Sequence, residues 1–115
     1  MYVQPAAQAK SKEEYGGAFR RLFPWPETVQ TPWGSAWMTI RPGTSSLAHS
    51  HDEQETFIIL SGSGEMKVGE EVRPVGKGDV IYLPPFSMHS LTNTSADEGL
   101  ELLCIWWDGE TTAAA

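Results

Sequence analysis

The sequence predicts an all-β domain, folded as a small antiparallel barrel or jelly roll. Eleven glycines and eight prolines among 115 residues imply many tight turns. Short runs of aromatic and β-branched residues alternate with these turn signals from Trp33 onward. The length is that of one domain with its own core, and the single cysteine, Cys104, excludes an internal disulfide.

The predicted strands follow one another at short intervals after Trp33. Breaks fall at Pro42-Gly43, at the segment 61–64, at 76–79 and at Pro84-Pro85, with a tight hairpin expected around Gly69-Glu70. Between these breaks lie seven runs with strand character, at residues 33–41, 56–60, 65–68, 71–75, 80–83, 89–93 and 100–107.

The chain divides by composition into three parts. Residues 1–30 are expected to form an N-terminal arm, residues 31–109 the barrel, and residues 110–115 a low-complexity tail. Within the arm, residues 13–23 could hold a short helix, although the Gly16-Gly17 pair weakens it. The prolines between residues 24 and 32 exclude a regular helix after that point.

Charge and hydropathy exclude several classes of partner. The formal net charge is −7 and no basic run is present, which argues against nucleic-acid binding. No run of eighteen apolar residues predicts a membrane span, and the first fifteen residues lack the apolar core of a secretory signal. With a single thiol, the sequence favours a cytoplasmic protein.

The three histidines are the candidate metal ligands. His49 and His51 are two residues apart, and on a strand such residues project from the same face. Glu55 follows four residues later, while His89 lies on a separate predicted strand. Imidazole nitrogens and a carboxylate oxygen suit zinc, iron, manganese, nickel or copper. Asp52 or Glu53 could replace Glu55 as the oxygen ligand.

Two spaced motifs contain all three histidines. The first reads G-x5-H-x-H-x3-E-x6-G from Gly43 to Gly62, and the second reads G-x5-P-x-F-x2-H-x3-N from Gly78 to Asn93. Both resemble the signature motifs of the cupin superfamily, with the short spacing of compact members. One position departs from the pattern, because Phe86 stands where the family usually has glycine.

The resemblance implies a double-stranded β-helix barrel that binds one divalent metal ion in its mouth. Zinc is the first expectation for this ion, with iron, manganese or nickel as alternatives. The alternative is a cupin whose metal site is vestigial and binds no metal. The resemblance implies that four residues are the metal ligands: His49, His51, Glu55 and His89.

Aromatic residues near the motifs are candidates for substrate binding. Phe57 shares a strand face with Glu55 and should point into the barrel. The other candidates for pocket lining are Trp37, Tyr82 and Phe86. Two sets of residues on the last strand could point inward. One is Leu102, Cys104 and Trp106, and the other is Leu103, Ile105 and Trp107. In either case Cys104 is interpreted as a small buried apolar residue, since no base partner is identifiable.

The function implied by the resemblance is a metal-dependent enzyme acting on a small molecule. The segments HSHDEQET and LELLCIWWD and the many tryptophans are similar to zinc-binding cupin units of hydrazine synthetases. In those enzymes a methionyl-tRNA-synthetase-like domain makes an amino-acid ester of an N-hydroxylated amine, and the cupin rearranges it to form an N–N bond. The alternatives are an iron or manganese dioxygenase and a non-catalytic binding cupin. A homodimer and a synthetase-like partner domain are the expected partners.

Overall fold

The computed structural model describes residues 1–110, so the predicted tail lies, apart from Glu110, outside the described residues. Within that range the chain forms one 3₁₀ turn, Ala6–Gln8, and nine strands, which confirms the all-β prediction. The strands are β1 Lys12–Glu14, β2 Gly17–Phe23, β3 Trp33–Ile40, β4 Gln54–Ser61, β5 Ser63–Val68, β6 Glu71–Gly76, β7 Val80–Leu83, β8 His89–Asn93 and β9 Leu100–Trp107. Over residues 1–110, no helix has the length and apolar character needed to cross a membrane.

The strands form two antiparallel sheets with a shared core, as expected for a jelly-roll barrel. The larger sheet has the order β1-β2-β3-β9-β4-β7, and the smaller has the order β6-β5-β8. The segment between β3 and β4 runs beside β8, where Ser46 N donates to Leu91 O at 2.8 Å and Asn93 N donates to Thr44 O at 2.9 Å. This crossover places the end of the large sheet next to the small one.

Alternation along the strands decides which side chains enter the core. On β4 the buried residues are Glu55, Phe57 and Ile59, as the sequence predicts. On β9 the set that includes Leu102 and Cys104 faces inward, so the choice left open by the sequence is resolved. The core consists of apolar side chains from six strands and the N-terminal hairpin: Phe19, Ala36, Met38, Ile40, Phe57, Ile59, Met66, Leu83, Leu91, Leu100, Leu102 and Cys104.

The N-terminal segment is not helical, so the helix allowed over residues 13–23 is wrong. Residues 12–23 of the expected arm instead form the hairpin β1–β2, and β2 pairs with β3 through Phe19 and Met38. Gly17 fits tightly there, because a Cβ would lie 2.6 Å from Thr39 O. Long-range pairing and burial of Phe19 therefore override a weak local helix preference.

Turn glycines and one motif asparagine have the structural roles that tight connections require. Gly43, Gly62 and Gly78 have φ of 69°, 86° and 88°, values that glycine adopts without a steric cost. Asn93 is buried, and its side-chain amide donates to Ile40 O at 2.9 Å and Glu98 O at 2.8 Å. The motif asparagine thus connects β8 to the end of β3 and to the loop before β9.

Phe86 keeps the left-handed backbone that glycine would adopt at its motif position. Its φ is 64°, its ring is 74% exposed, and its N–H donates to His51 O at 2.7 Å. The turn before β8 therefore forms even though Phe86 has a side chain. A residue with a Cβ in the left-handed conformation costs about 1–2 kcal/mol of conformational energy.

Replacing Phe86 separates this backbone cost from the effect of the exposed ring. We expect Phe86→Gly to be more stable than Phe86→Ala by about 1 kcal/mol, because only glycine relieves the left-handed strain. Urea unfolding of the two variants measures the difference. A Phe86→Ala protein that equals or exceeds Phe86→Gly in stability would contradict this account of the turn.

Candidate metal centre

The strand arrangement brings the three histidines to one place. His49 and His51 lie in the extended segment before β4, and His89 is the first residue of β8. A backbone bridge joins the two segments, since His49 N donates to His89 O at 3.2 Å and His89 N donates to His49 O at 3.0 Å. The ring centroids of His49 and His89 are 4.5 Å apart as a result.

Each imidazole is oriented by a backbone carbonyl two residues away. Nδ1 of His49 lies 2.9 Å from Leu47 O, Nδ1 of His51 lies 3.1 Å from Glu53 O, and Nδ1 of His89 lies 3.1 Å from Ser87 O. A carbonyl oxygen only accepts, so in each ring Nδ1–H donates to it and Nε2 keeps the lone pair that can bind a metal ion. Metal-binding histidines are commonly oriented in this way.

The free nitrogens form a group suited to a metal ion. Ligand atoms of His49, His51 and His89 all lie within 4.8 Å of one another. Nε2 of His89 is buried and finds no hydrogen-bond partner within residues 1–110, which is costly in an apolar interior unless another group satisfies it. The three histidines therefore fit a bound cation.

Glu55 stands beside this group and adds a carboxylate to it. It is buried, and its Oε1 lies 2.9 Å from His51 Nε2 and 3.5 Å from His89 Nε2. When Nδ1 is protonated, Nε2 and the carboxylate are both acceptors, so a proton or a metal ion must lie between them. The position is compatible with the fourth-ligand role, which stays a prediction.

The two alternative carboxylates are placed differently. Asp52 accepts a hydrogen bond from Glu110 N at 2.8 Å, which directs it toward the end of the described chain. Glu53 lines the cavity beside the histidines, and burial is the main cause that raises its pKa, ahead of the opposing effect of His51. Within residues 1–110, the ion pairs of His51 and His89 both go to Glu55.

A cavity of about 450 Å³ opens beside the histidines. Its walls are largely aromatic and come from Tyr15, Phe19, Phe57 and Trp106. Phe19 and Trp106 stack with ring centroids 6.3 Å apart. The volume is within the range of small-molecule sites, and the rings favour an apolar ligand body.

The predicted substrate-binding residues are divided by the structure. Phe57 lines this cavity, as expected from its face on β4. Trp37 does not, because it is on the outer face of β3, where it donates to Glu101 Oε1 at 3.2 Å. Tyr82 is also outside and donates to Gln54 Oε1 at 2.7 Å, and the ring of Phe86 is exposed. The expectation that these three residues line the pocket is corrected accordingly.

Sequence reasoning missed the N-terminal contribution to the cavity. Tyr15, Phe19 and Arg21 belong to the β1–β2 hairpin and line the cavity wall. Gly17 and Phe19 share a buried face of β2, whereas Arg21 is exposed. The sequence of this strand shows no clear alternation of apolar and polar residues, so local reasoning assigned the segment to an arm.

Cys104 is an unreactive part of the cavity wall. Its side chain is 2% exposed, and burial raises the pKa of its thiol well above the ordinary value, with the charge of Glu55 as the second cause. A thiol held in the neutral form is a poor nucleophile and a poor ligand. The expectation of a small buried apolar residue is confirmed.

Comparison with known proteins agrees with this geometry. Residues 36–106 match the family model described as a cupin domain. A cupin 2 conserved barrel domain protein from Salinispora arenicola has 35% sequence identity and a TM-score of 0.86, with 99% of this chain and 93% of that chain covered.

Two further similar proteins are much longer than the segment that aligns with this chain. A structure of Bacillus subtilis oxalate decarboxylase, whose title refers to its Mn(II) centers, has 27% identity and a TM-score of 0.75, with 90% of this chain and 28% of that chain covered. An uncharacterized Methanocaldococcus jannaschii protein is 38% identical over 63 residues, which are 54% of this chain and 50% of that protein. The chain spans half or less of the length of the first curated relatives that it matches.

The contrast between His51→Ala and Cys104→Ala tests the assignment of the site. Loss of an imidazole ligand should lower metal affinity at least ten- to hundredfold, the range seen when only supporting residues are removed. Loss of the Cys104 thiol should leave a small cavity that costs about 1 kcal/mol and leave metal content unchanged. Metal analysis and thermal unfolding of both variants give the answer, and the reversed pattern would show that the site is assigned wrongly.

Proposed function

The chain belongs to the cupin family, and from that premise we propose that it is a metal-dependent enzyme acting on a small organic molecule. One observation carries the proposal: three imidazoles, each oriented by a backbone carbonyl, bring ligand atoms within 4.8 Å of one another, beside a cavity of about 450 Å³. An open cavity next to the ligands is what a catalytic site needs and a purely structural site does not.

The residues of the site have separate roles in this proposal. His49, His51 and His89 hold the ion, and Glu55 contributes a buried carboxylate that lowers the net charge at the centre. A bound divalent ion supplies Lewis acidity, and iron or manganese can also supply redox chemistry. Phe57 and Trp106 form an apolar wall that keeps water away from a bound substrate.

Zinc remains the first proposal for the ion, with iron, manganese and nickel as alternatives. Three nitrogens and one carboxylate are compatible with each of them. The manganese of the oxalate decarboxylase neighbour supports a divalent ion in this fold. Elemental analysis of protein purified without added metal distinguishes the options, because zinc at one per chain favours non-redox chemistry and iron favours oxygen chemistry.

The reaction itself is proposed at two levels. The finer proposal is the rearrangement of an amino-acid ester of an N-hydroxylated amine to an N–N bond, and it rests on sequence resemblance alone. An iron or manganese dioxygenase and a non-catalytic small-molecule-binding cupin are the alternatives. The homodimer, the synthetase-like partner domain and the cytoplasmic location likewise stay predictions from the sequence.

Turnover assays separate an enzyme from a binding module. Metal-loaded protein is incubated with the hydroxylamine ester and, separately, with catechol under oxygen, and product formation and oxygen uptake are recorded. His89→Ala is the matched control, since it removes a ligand from the same fold. Saturable binding of both compounds without turnover at any metal loading would favour the non-catalytic alternative.

Metal removal should abolish activity but leave the barrel folded. The apolar core is built without the histidines, so the ion adds only its binding free energy, about 2.7 kcal/mol at a free concentration one hundred times Kd. Circular dichroism before and after chelation, with thermal unfolding of both forms, measures this. Complete unfolding on chelation at room temperature would instead identify a structural metal site.

A further inference from the structure

The turn between β1 and β2 packs closely against the segment that carries His49. Tyr15 O accepts a hydrogen bond from Leu47 N at 2.8 Å. Gly16 has a φ of 87°, and a Cβ on it would lie 2.8 Å from both Leu47 N and Ser45 O. The carbonyl of the same residue, Leu47, orients the His49 ring. The turn and the His49 ring are therefore both hydrogen-bonded to Leu47.

The side chain of Tyr15 makes a second, independent contact with the ligand. Its ring stacks on the His49 imidazole with centroids 5.2 Å apart and an interplanar angle of 27°. The Tyr15 ring is in turn in contact with the ring of Phe19, which it meets edge-on with centroids 5.0 Å apart. The ring of Tyr15 therefore covers one face of the imidazole.

His49 needs such support more than the other two ligands do. His51 and His89 each lie within 3.5 Å of Glu55, whereas none of the ion pairs described in residues 1–110 involves His49. Among the contacts described in residues 1–110, its ring is held by the hydrogen bond to Leu47 O and by contacts with neighbouring rings. Stacking by Tyr15 restricts the rotation that this single hydrogen bond leaves open.

The backbone of Tyr15 is in an unfavourable conformation. Its φ is 56°, in the left-handed region that residues with a Cβ seldom adopt. Glycine or asparagine would occupy this position more readily, yet the chain has a large aromatic residue there. Strained positions of this kind cluster at functional sites, where the surrounding structure maintains them.

We propose that Tyr15 is a positioning residue of the metal centre, whose ring holds His49 so that Nε2 is directed at the shared ligand position. The inference rests on the proposed function in that the three histidines must bind a metal ion. It extends the site to the β1–β2 hairpin, which lies outside the residues 36–106 matched by the family model. The hairpin then contributes both ligand orientation and, through Phe19 and Arg21, the cavity wall.

The test compares Tyr15→Phe, Tyr15→Gly and Tyr15→Asn, with Phe86→Gly as the matched control. Phe86 is also an aromatic residue at positive φ, but its ring is exposed and makes none of the ring contacts described for the histidines. Three properties of the whole 115-residue chain are measured: Co²⁺ affinity by competition with a chelator, the Co²⁺ absorption spectrum, and thermal unfolding of the metal-free form.

Tyr15→Phe should bind Co²⁺ with wild-type affinity and spectrum, because it keeps the ring. Tyr15→Gly and Tyr15→Asn should bind about tenfold more weakly with an altered spectrum, the lower end of the range for residues that support a ligand. Their metal-free forms should unfold at or above the wild-type temperature, since both relieve the backbone strain. Phe86→Gly should retain wild-type affinity, which separates strain relief from ligand support.

Folded Tyr15→Gly and Tyr15→Asn proteins with wild-type Co²⁺ affinity and spectrum would overturn the inference while leaving the proposed metal site intact. A lower unfolding temperature with unchanged affinity would also overturn it, because it would identify a purely structural role. Wild-type protein that binds no Co²⁺ would overturn both the inference and the proposed function, and the two failures are thereby distinguished.

Discussion

The backbone bridge between His49 and His89 is the contact on which the metal centre depends. It joins residues forty positions apart and places the first ligand opposite the last. Further hydrogen bonds, from Ser46 N to Leu91 O and from Asn93 N to Thr44 O, hold the same irregular segment against β8. Displacement of this segment would separate the histidines before it disturbed the core.

The backbone orients the three imidazoles. Each Nδ1 lies close to a backbone carbonyl oxygen, which leaves Nε2 of each ring able to bind a ligand. Within residues 1–110 the buried Nε2 of His89 has no hydrogen-bond partner, a situation that costs about 1–3 kcal/mol. Metal binding would remove that cost, which links stability to metal occupancy.

Fold and ligand set leave the reaction open, because many chemistries use the same barrel. The distinguishing features of this chain are in the cavity wall. Phe57 and Trp106 come from central strands of the large sheet, whereas Tyr15, Phe19 and Arg21 come from the N-terminal hairpin. The cavity wall is therefore completed by a part of the chain remote in sequence from the ligand motifs.

The sequence by itself determined the strands from residue 33 onward, the turns and the candidate ligands, because these are written in local alternation, glycine position and motif spacing. Tertiary structure alone decided which faces of β3 and β9 are buried. Alternation on β4 predicts that Phe57 points inward, whereas only the packing of the two sheets turns Trp37 outward and Cys104 inward. It also recruited the β1–β2 hairpin, since β2 is stabilised by pairing with β3 and by burial of Phe19, contacts that no local pattern contains.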